Sequence, residues 1–99
     1  MPAYLIANIT VTDPEAFKAY GAKVPAVIAQ FGGRYLVRGG AVTAVEGASP
    51  FNRLVVLEFP SMEALKTFYH SPEYAPLIAM RQNASTGDVV LVEGYAPPA

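Results

Sequence analysis

Two glycine pairs bracket a short segment near the middle of the chain and constrain the fold more than any other feature. The segment covers residues 32–40 and its sequence is GGRYLVRGG. Glycine adopts positive φ at no steric cost, so the first pair is typical of the C-terminal cap of a helix. The second pair predicts either a hairpin turn or a glycine bulge that bends a longer strand. The five residues between the pairs are expected to form a strand.

The flanking segments complete a β-α-β-β-α-β order. Alternating apolar residues predict strands at Ala3–Val11, from Arg34, at Arg53–Phe59 and at Val89–Glu93. Helix starts are predicted at Asp13-Pro14, at Pro60-Ser61 and at Ser71-Pro72-Glu73. Pro25 removes a backbone donor inside the first helix, which predicts a kink near Gly21. The run Ala41–Glu46 is either a hairpin partner of the second strand or its continuation past a bulge, and we favour the continuation.

This order is typical of the ferredoxin-like fold, an α+β architecture in which helices cover one face of an antiparallel sheet. The third and fourth strands carry apolar residues on both faces, in the runs Leu54–Leu57 and Val89–Val92. Only 15% of the residues are charged and 53% are hydrophobic, against about 25% charged in an average domain. The open face therefore needs a cover, and a second copy packed sheet against sheet is the simplest one.

Composition also limits the classes of function that the chain supports. Its 99 residues are expected to form one domain, residues 1–99. A formal net charge of −1 without a basic cluster argues against nucleic acid, whose binding depends on neutralising phosphates. No apolar run reaches the roughly 20 residues that span a bilayer, and the N-terminus lacks a basic leader region, so we expect a cytoplasmic protein with no membrane partner. The chain has no cysteine, one histidine and no dinucleotide or phosphate-loop motif, so neither a metal site nor a cofactor is expected.

Four motifs, in order along the chain, carry a resemblance to a known family. They are Thr12-Asp13-Pro14-Glu15, the segment 32–40, Leu57-Glu58-Phe59-Pro60-Ser61 and Ser71-Pro72-Glu73-Tyr74. Over nearly its whole length the sequence resembles the domain-of-unknown-function family DUF1330. The resemblance implies a dimeric α+β barrel, in a superfamily that also contains small cofactor-free monooxygenases, haem-degrading enzymes and stress-responsive dimers. Because the family itself is uncharacterised, the resemblance implies a fold and a dimer but no activity.

Glu58 is the sharpest candidate for a functional residue. It shares an otherwise apolar strand face with Leu54 and Val56, and a buried carboxylate needs a partner or a shifted pKa. Either Arg34 or Arg38 on the neighbouring strand can reach it. In a functional interpretation, Glu58 is a base or a hydrogen-bond acceptor on the floor of a ligand pocket. In a structural interpretation, which we favour, a Glu–Arg pair fixes the strand register or the dimer seam.

Other candidates lie on the helices. His70, beside Tyr69 at a helix C-terminus, is a candidate general base or haem ligand, although a solvated residue favoured by the helix dipole is the commoner case. Arg81 can clamp a ligand carboxylate, but we favour a dipole role at the end of the third helix. Phenols near the helix–sheet seam, which more often belong to a core than to a cofactor site, are Tyr20, Tyr35, Tyr69 and Tyr74.

Two main hypotheses follow. In the first, a homodimer binds a small molecule in a pocket between sheet and helices, with ligand-binding candidates Tyr20, Arg34, Arg38, Glu58, Tyr69 and His70. Glu58 and His70 are the catalytic candidates, and superfamily analogy alone implies cofactor-independent oxidation or proton transfer. In the second, the chain is a non-catalytic dimeric domain in which Glu58 and Arg38 form a structural pair. A third hypothesis, a metal or haem protein that depends on His70, has the least support.

Overall fold

The computed structural model describes residues 1–48 and 50–98, and its elements follow the order expected from the sequence. They are β1 (Ala3–Val11), α1 (Pro14–Gln30), β2 (Arg34–Arg38), β3 (Arg53–Phe59), α2 (Met62–Tyr69), α3 (Ala75–Ala84) and β4 (Ser85–Glu93). The strands form one antiparallel sheet in the order β2-β3-β1-β4, with the helices packed on one face. The ferredoxin-like α+β fold class is therefore confirmed. Among the helices of the described residues, none is long and apolar enough to span a membrane.

Two helices begin where the capping residues predict. The Asp13 carboxylate accepts a hydrogen bond from the Ala16 amide at 3.2 Å, and the Ser61 hydroxyl accepts one from the Ala64 amide at 3.1 Å. The third helix begins at Ala75, three residues later than the expected start at Pro72. The Ser71 hydroxyl accepts from the Tyr74 amide at 3.1 Å and so closes a turn that precedes the helix.

The hydrophobic core lies between the sheet and the helices. Alternate residues of β1 face the helices and are buried, namely Ala3, Leu5, Ala7 and Ile9. At the centre of the core, the Phe68 ring centroid lies 4.9 Å from that of Phe59 and 4.4 Å from that of Tyr74. Full burial of one such side chain contributes about 1.5–3 kcal/mol. This aromatic cluster therefore holds α2 and the turn before α3 against the sheet.

The second strand is shorter than the favoured continuation. It ends at Arg38, and the run 41–46 contains no strand, so both the bent continuation and the hairpin partner are wrong. Gly39 makes the last contact with the sheet, since its amide donates to the Leu54 carbonyl at 2.8 Å. The φ of Gly39 is 69°, a left-handed conformation that turns the chain away from β3.

A bulge lies inside β2, before the glycine pair. The pairing with β3 shifts between Tyr35 and Val37, so that Leu36 is the extra residue. A one-residue insertion sends the following side chains to the opposite face. Arg34 therefore pairs with Glu58 on the open face, whereas Arg38 lies on the helix-covered face.

The open face of the sheet is apolar, as the sequence predicts. It includes Val90 and Val92 of β4, which are 53% and 42% exposed, and Leu36 at the bulge, which is 45% exposed. Ile6 and Val56, at the centre of the same face, are half-buried. The side of the sheet away from the helices is thus largely apolar around these residues, and the same face carries the Arg34–Glu58 pair.

Candidate functional site

A cavity opens between α1 and the helix-covered side of the sheet. It encloses about 40 Å³, or about 460 Å³ when the space at its open mouth is counted. Its apolar walls come from β1, β3 and α1: Leu5, Ala7, Ile9, Phe17, Val24, Ile28, Val55 and Leu57. Its polar side chains are those of Tyr20, Tyr35, Arg38, Arg53, Tyr74 and Arg81. An apolar cavity with a few converging polar groups is the usual form of a small-molecule site.

Three of these polar side chains form a buried chain of hydrogen bonds between α1 and α3. The hydroxyl oxygens of Tyr20 and Tyr74 lie 3.0 Å apart. Arg81 Nη1 donates to the Tyr74 hydroxyl at 3.2 Å, and Arg81 Nη2 donates to the Tyr69 hydroxyl at 3.4 Å. A guanidinium can only donate, so Tyr74 accepts from Arg81 and is left with one proton and one lone pair for Tyr20 and the cavity.

Burial keeps these phenols in their neutral form. It raises the pKa of the Tyr20 hydroxyl far above the ordinary value near 10, and the adjacent Tyr74 raises it further. Burial also raises the pKa of Tyr74, although its hydrogen bond with Tyr20 and the charge of Arg81 act in the opposite direction. Arg81 is only 6% exposed. Its positive charge therefore lies in the interior beside hydroxyl groups that carry no compensating charge.

Arg38 lies at the mouth of the cavity, where it binds a backbone carbonyl that Pro25 leaves without a partner in α1. Proline has no amide hydrogen, so the carbonyl of Gly21, four residues earlier in α1, loses its intrahelical partner. Arg38 Nη2 donates to that carbonyl at 2.9 Å. The Arg38 guanidinium also stacks over the Tyr35 ring, 4.6 Å from its centroid. These two contacts hold the cation at the edge of the cavity while α1 continues through Pro25.

Arg53, at the start of β3, supplies a third guanidinium. It lies over the Phe17 ring, 5.3 Å from the centroid, and its Nε is buried with no hydrogen-bond partner among the described residues. The tight turn at Gly39 encloses it, because a Cβ there would lie 2.5 Å from Arg53 Nη1. The guanidinium thus sits between an aromatic ring and the backbone, with donor capacity left free.

Glu58 and Arg34 lie outside the cavity, on the open face. Arg34 Nη2 and Nε approach Glu58 Oε1 at 2.8 Å and 2.9 Å. The predicted structural pair of Glu58 with Arg38 is therefore wrong, because the bulge at Leu36 separates the two arginines onto opposite faces. The Arg34 side chain is 69% exposed, and an ion pair of this kind contributes about 0–1 kcal/mol.

The remaining candidates lie at the far end of α2. His70 is exposed and caps the helix through its own amide, which donates to the Lys66 carbonyl at 3.0 Å. Tyr69 borders a second opening, of about 330 Å³, that it shares with Arg81 and the first residues of β4. No group of three or more histidine, cysteine, aspartate or glutamate side chains among the described residues could hold a metal ion. The structure therefore places only Tyr20 and Arg38, of the six ligand-binding candidates, at the cavity between α1 and the sheet.

Four polar side chains of the cavity are not among the ligand-binding candidates of the sequence analysis. That analysis assigns Tyr35 and Tyr74 to the core and Arg81 to the helix dipole, and all three line the cavity. Tyr74, Leu77 and Arg81 are spaced by three and four residues, so helical periodicity alone would have put Arg81 on the buried side. Arg53 shares strand alternation with the inward-facing Leu57, which is the signal that could have revealed it.

Because the buried phenols titrate abnormally, the stability of the fold is expected to fall at alkaline pH. In the unfolded chain a tyrosine ionises near pH 10, whereas burial keeps Tyr20 protonated in the folded state. Above about pH 10 the folded state therefore binds more protons, and the free energy of unfolding decreases with pH. Each such tyrosine contributes up to about 1.4 kcal/mol per pH unit. Urea denaturation from pH 8 to pH 11.5 measures this slope.

Two variants separate this effect from general alkaline unfolding. Tyr20→Phe removes one buried titrating group and should reduce the slope above pH 10 by a measurable fraction of the wild-type value. Tyr95→Phe is the control, since Tyr95 is 80% exposed, and it should keep the wild-type slope. Equal slopes for wild type and Tyr20→Phe would show that Tyr20 ionises alike in both states.

Three solved structures share this fold at low sequence identity. A protein of unknown function from Rhodopseudomonas palustris has a TM-score of 0.76 at 19% identity, over 97% of this chain and 84% of that one. SnoaB, a cofactor-independent oxygenase from Streptomyces nogalater, has a TM-score of 0.62 at 16% identity, over 97% and 95%. HapK from Hahella chejuensis has a TM-score of 0.61 at 16% identity, over 97% and 99%. At these identities the likeness establishes the fold and nothing further.

The sequence itself identifies the family. No curated protein sequence matches the chain significantly. The model of the domain of unknown function DUF1330 matches residues 2–95, which is nearly the whole chain. The resemblance carried by the four sequence motifs is confirmed. This chain belongs to the DUF1330 family.

Proposed function

We propose that the protein is a homodimer that binds a small organic molecule in the cavity between α1 and the sheet. The observation that carries this proposal is the cavity itself, an apolar space that is open to solvent and holds the buried Tyr20–Tyr74–Arg81 chain. A purely structural domain gains nothing from a buried arginine beside a void, since a well-packed apolar side chain would be at least as stable there. Ligand binding explains both features together.

The open face supports the homodimer. Val90, Val92 and Leu36 are exposed there, and a surface of this kind on a small domain marks an interaction site. A second copy is the occupant that also matches in shape, because two twisted sheets pack face to face in an aligned fashion. The cavity lies on the other side of the sheet, so assembly and ligand binding use separate faces.

A catalytic role is a second candidate, favoured by the fold shared with SnoaB, which is a cofactor-independent oxygenase. The described lining residues include neither a carboxylate nor an imidazole that could act as a general base. Glu58 is on the opposite face, and His70 is exposed at the end of α2. Binding is therefore the function that the geometry supports best, and oxidation or proton transfer would need a substrate that ionises on its own.

Native mass spectrometry of gently purified protein tests the proposal. We expect twice the mass of the chain, with an additional non-covalent mass that identifies the ligand. A thermal-shift screen of small aromatic and aliphatic acids, alcohols and amides supplements it, because a weak ligand is lost in purification. A protein that carries no added mass and is stabilised by no compound of the screen would overturn the binding proposal.

A charge on the open face tests the dimer separately. Val90→Lys places a charge at a position that is exposed in the single chain, so the fold tolerates it while a sheet-to-sheet interface does not. We expect a monomer that still binds the ligand, since the cavity is on the other face. Thr67→Lys, at an exposed position of α2, is the matched control and should remain dimeric. A dimeric Val90→Lys protein would contradict assembly through the sheet.

A further inference from the structure

The charges at the cavity indicate which class of ligand it takes. We infer that the ligand is a small organic acid bound as its anion, with a compact apolar body and a carboxylate or a similar oxyanion directed at the arginines. This inference rests on the proposed function and deepens it. It depends on three guanidinium groups, on the absence of acidic partners among the described lining residues, and on the shape of the apolar walls.

The first observation is an excess of positive charge. Arg38, Arg53 and Arg81 all line the cavity, and none of the described residues that line it is acidic. The ion pair within the described chain joins Arg34 to Glu58 on the other face of the sheet. The chain as a whole has a formal net charge of −1, so the positive charge is a local feature of the cavity. A cavity lined by charge of one sign focuses its field on ions of the opposite sign.

The buried charge of Arg81 is the strongest argument for an anionic ligand. It is 6% exposed and its described partners are the hydroxyls of Tyr74 and Tyr69, at 3.2 Å and 3.4 Å. A buried charge is normally paired or hydrogen-bonded to an opposite charge, because neutral dipoles compensate only part of the lost hydration. An anion in the cavity supplies that missing partner through the connected hydroxyls of Tyr74 and Tyr20.

Arg53 and Arg38 extend this positive surface towards the mouth. The Arg53 Nε is buried without a partner among the described residues, so no described acceptor offsets the charge of this guanidinium through that atom. Arg38 uses Nη2 on the Gly21 carbonyl, which is neutral, so its charge is positioned but not cancelled. An entering anion therefore meets Arg38 first and the deeper donors next.

The remainder of the lining sets the body of the ligand. Leu5, Val24 and Leu57 are among the apolar side chains that form the deeper walls. The enclosed space of about 40 Å³ corresponds to roughly three water molecules, whereas a cavity that holds benzene measures roughly 150 Å³. A single ring therefore has to extend into the open mouth of the cavity, and a body larger than one ring is disfavoured. Inorganic anions leave these apolar walls hydrated and should bind much more weakly.

Benzoate and benzamide test the charge requirement, since they have the same ring and nearly the same shape but differ in charge. Titration calorimetry or NMR shift titration with each probe measures the difference in affinity. We expect benzoate to bind at least tenfold more tightly than benzamide. Inorganic phosphate at the same concentration should cause no comparable shift, because it has no apolar body.

Variants of the arginines then test whether these residues cause the preference for benzoate over benzamide. Arg81→Met removes the buried charge at similar length and should reduce the preference for benzoate over benzamide below threefold. Arg38→Met, at an exposed position, provides the same test if Arg81→Met fails to fold, and should weaken benzoate with little effect on benzamide. Lys66 is exposed on α2 and is not among the residues that line the cavity, so Lys66→Gln removes one charge and should keep the wild-type preference.

The outcomes separate this inference from the proposed function. Equal affinities for benzoate and benzamide would contradict the inference of an anionic ligand, but they would still support a small-molecule site. Phosphate binding as tight as that of benzoate would show a general anion site without an apolar subsite, which also contradicts the inference. A protein that binds neither benzoate nor benzamide, but carries a neutral compound in native mass spectrometry, refutes the inference alone.

Discussion

Replacing Tyr74 with alanine is expected to lower the free energy of unfolding by on the order of 5 kcal/mol. The ring is 2% exposed, stacks on Phe68 at 4.4 Å and lies edge-on to Tyr69 at 5.7 Å, so its removal opens a void in the aromatic cluster. Its hydroxyl also contacts Tyr20 and Arg81, and the substitution would leave the buried Arg81 with fewer partners. Small domains are stable by about 5–15 kcal/mol, so much of the protein should be unfolded.

Urea denaturation at a fixed protein concentration measures this loss, since dimerisation makes stability depend on concentration. Tyr74→Phe retains the ring and removes only the hydroxyl, so its cost should be about 1–3 kcal/mol. Tyr95→Ala, at an exposed position, should stay within about 0.5 kcal/mol of wild type. If Tyr74→Ala costs no more than Tyr74→Phe, the ring does not support the core as the stacking geometry indicates.

Much of the fold could be predicted from the sequence because local signals and tertiary packing agree. Asp13 and Ser61 satisfy free amides at helix starts, and only a few residue types perform that role. Alternation along β1 predicts its buried face, because a strand that is covered on one side repeats every two residues. The Ser71 motif was misleading since the same hydroxyl contact closes either a turn or a helix.

The candidate site was harder to predict because one inserted residue rearranges it. In a regular strand Arg34 and Arg38 share a face, and either can reach Glu58. The bulge at Leu36 reverses the second half of β2 and sends Arg38 to the cavity. Glycines often mark bulges, yet this one occurs at a leucine, and no local sequence feature announces it.

Long-range contacts account for the rest of the site. The carbonyl that Arg38 binds is free because Pro25 lies four residues after Gly21, a relation that is visible in the sequence. That the free carbonyl would face β2 depends on how α1 packs on the sheet, which no local pattern specifies. The buried charge of Arg81 is likewise contrary to the usual behaviour of arginine at a helix end, and such exceptions concentrate at functional sites.

The second large effect is expected at Gly87, where β4 passes close to the central strand β1. Its φ is 150°, a region that residues with a side chain rarely adopt. A Cβ there would collide with the carbonyl oxygen of Asn8 and lie 3.1 Å from the Cα of Ile9, and both are backbone atoms that side-chain rotation cannot move. Gly87→Ala should therefore separate β4 from β1 locally and lower the free energy of unfolding by on the order of 4 kcal/mol.

Substitutions at two other glycines separate the cost of backbone strain from the cost of the steric clash. Gly47 has a φ of 69°, but a Cβ there would meet no described atom within 4 Å, so Gly47→Ala reports backbone strain alone, about 1–2 kcal/mol. Gly40 has neither a positive φ nor a described neighbour within 4 Å, and Gly40→Ala should be neutral or slightly stabilising. Thermal or urea unfolding of the three variants should rank Gly87→Ala far below Gly47→Ala, with Gly40→Ala near wild type. A Gly87→Ala protein no less stable than Gly47→Ala would mean that β1 and β4 can move apart at little cost, and that the close backbone approach does not fix the edge of the sheet.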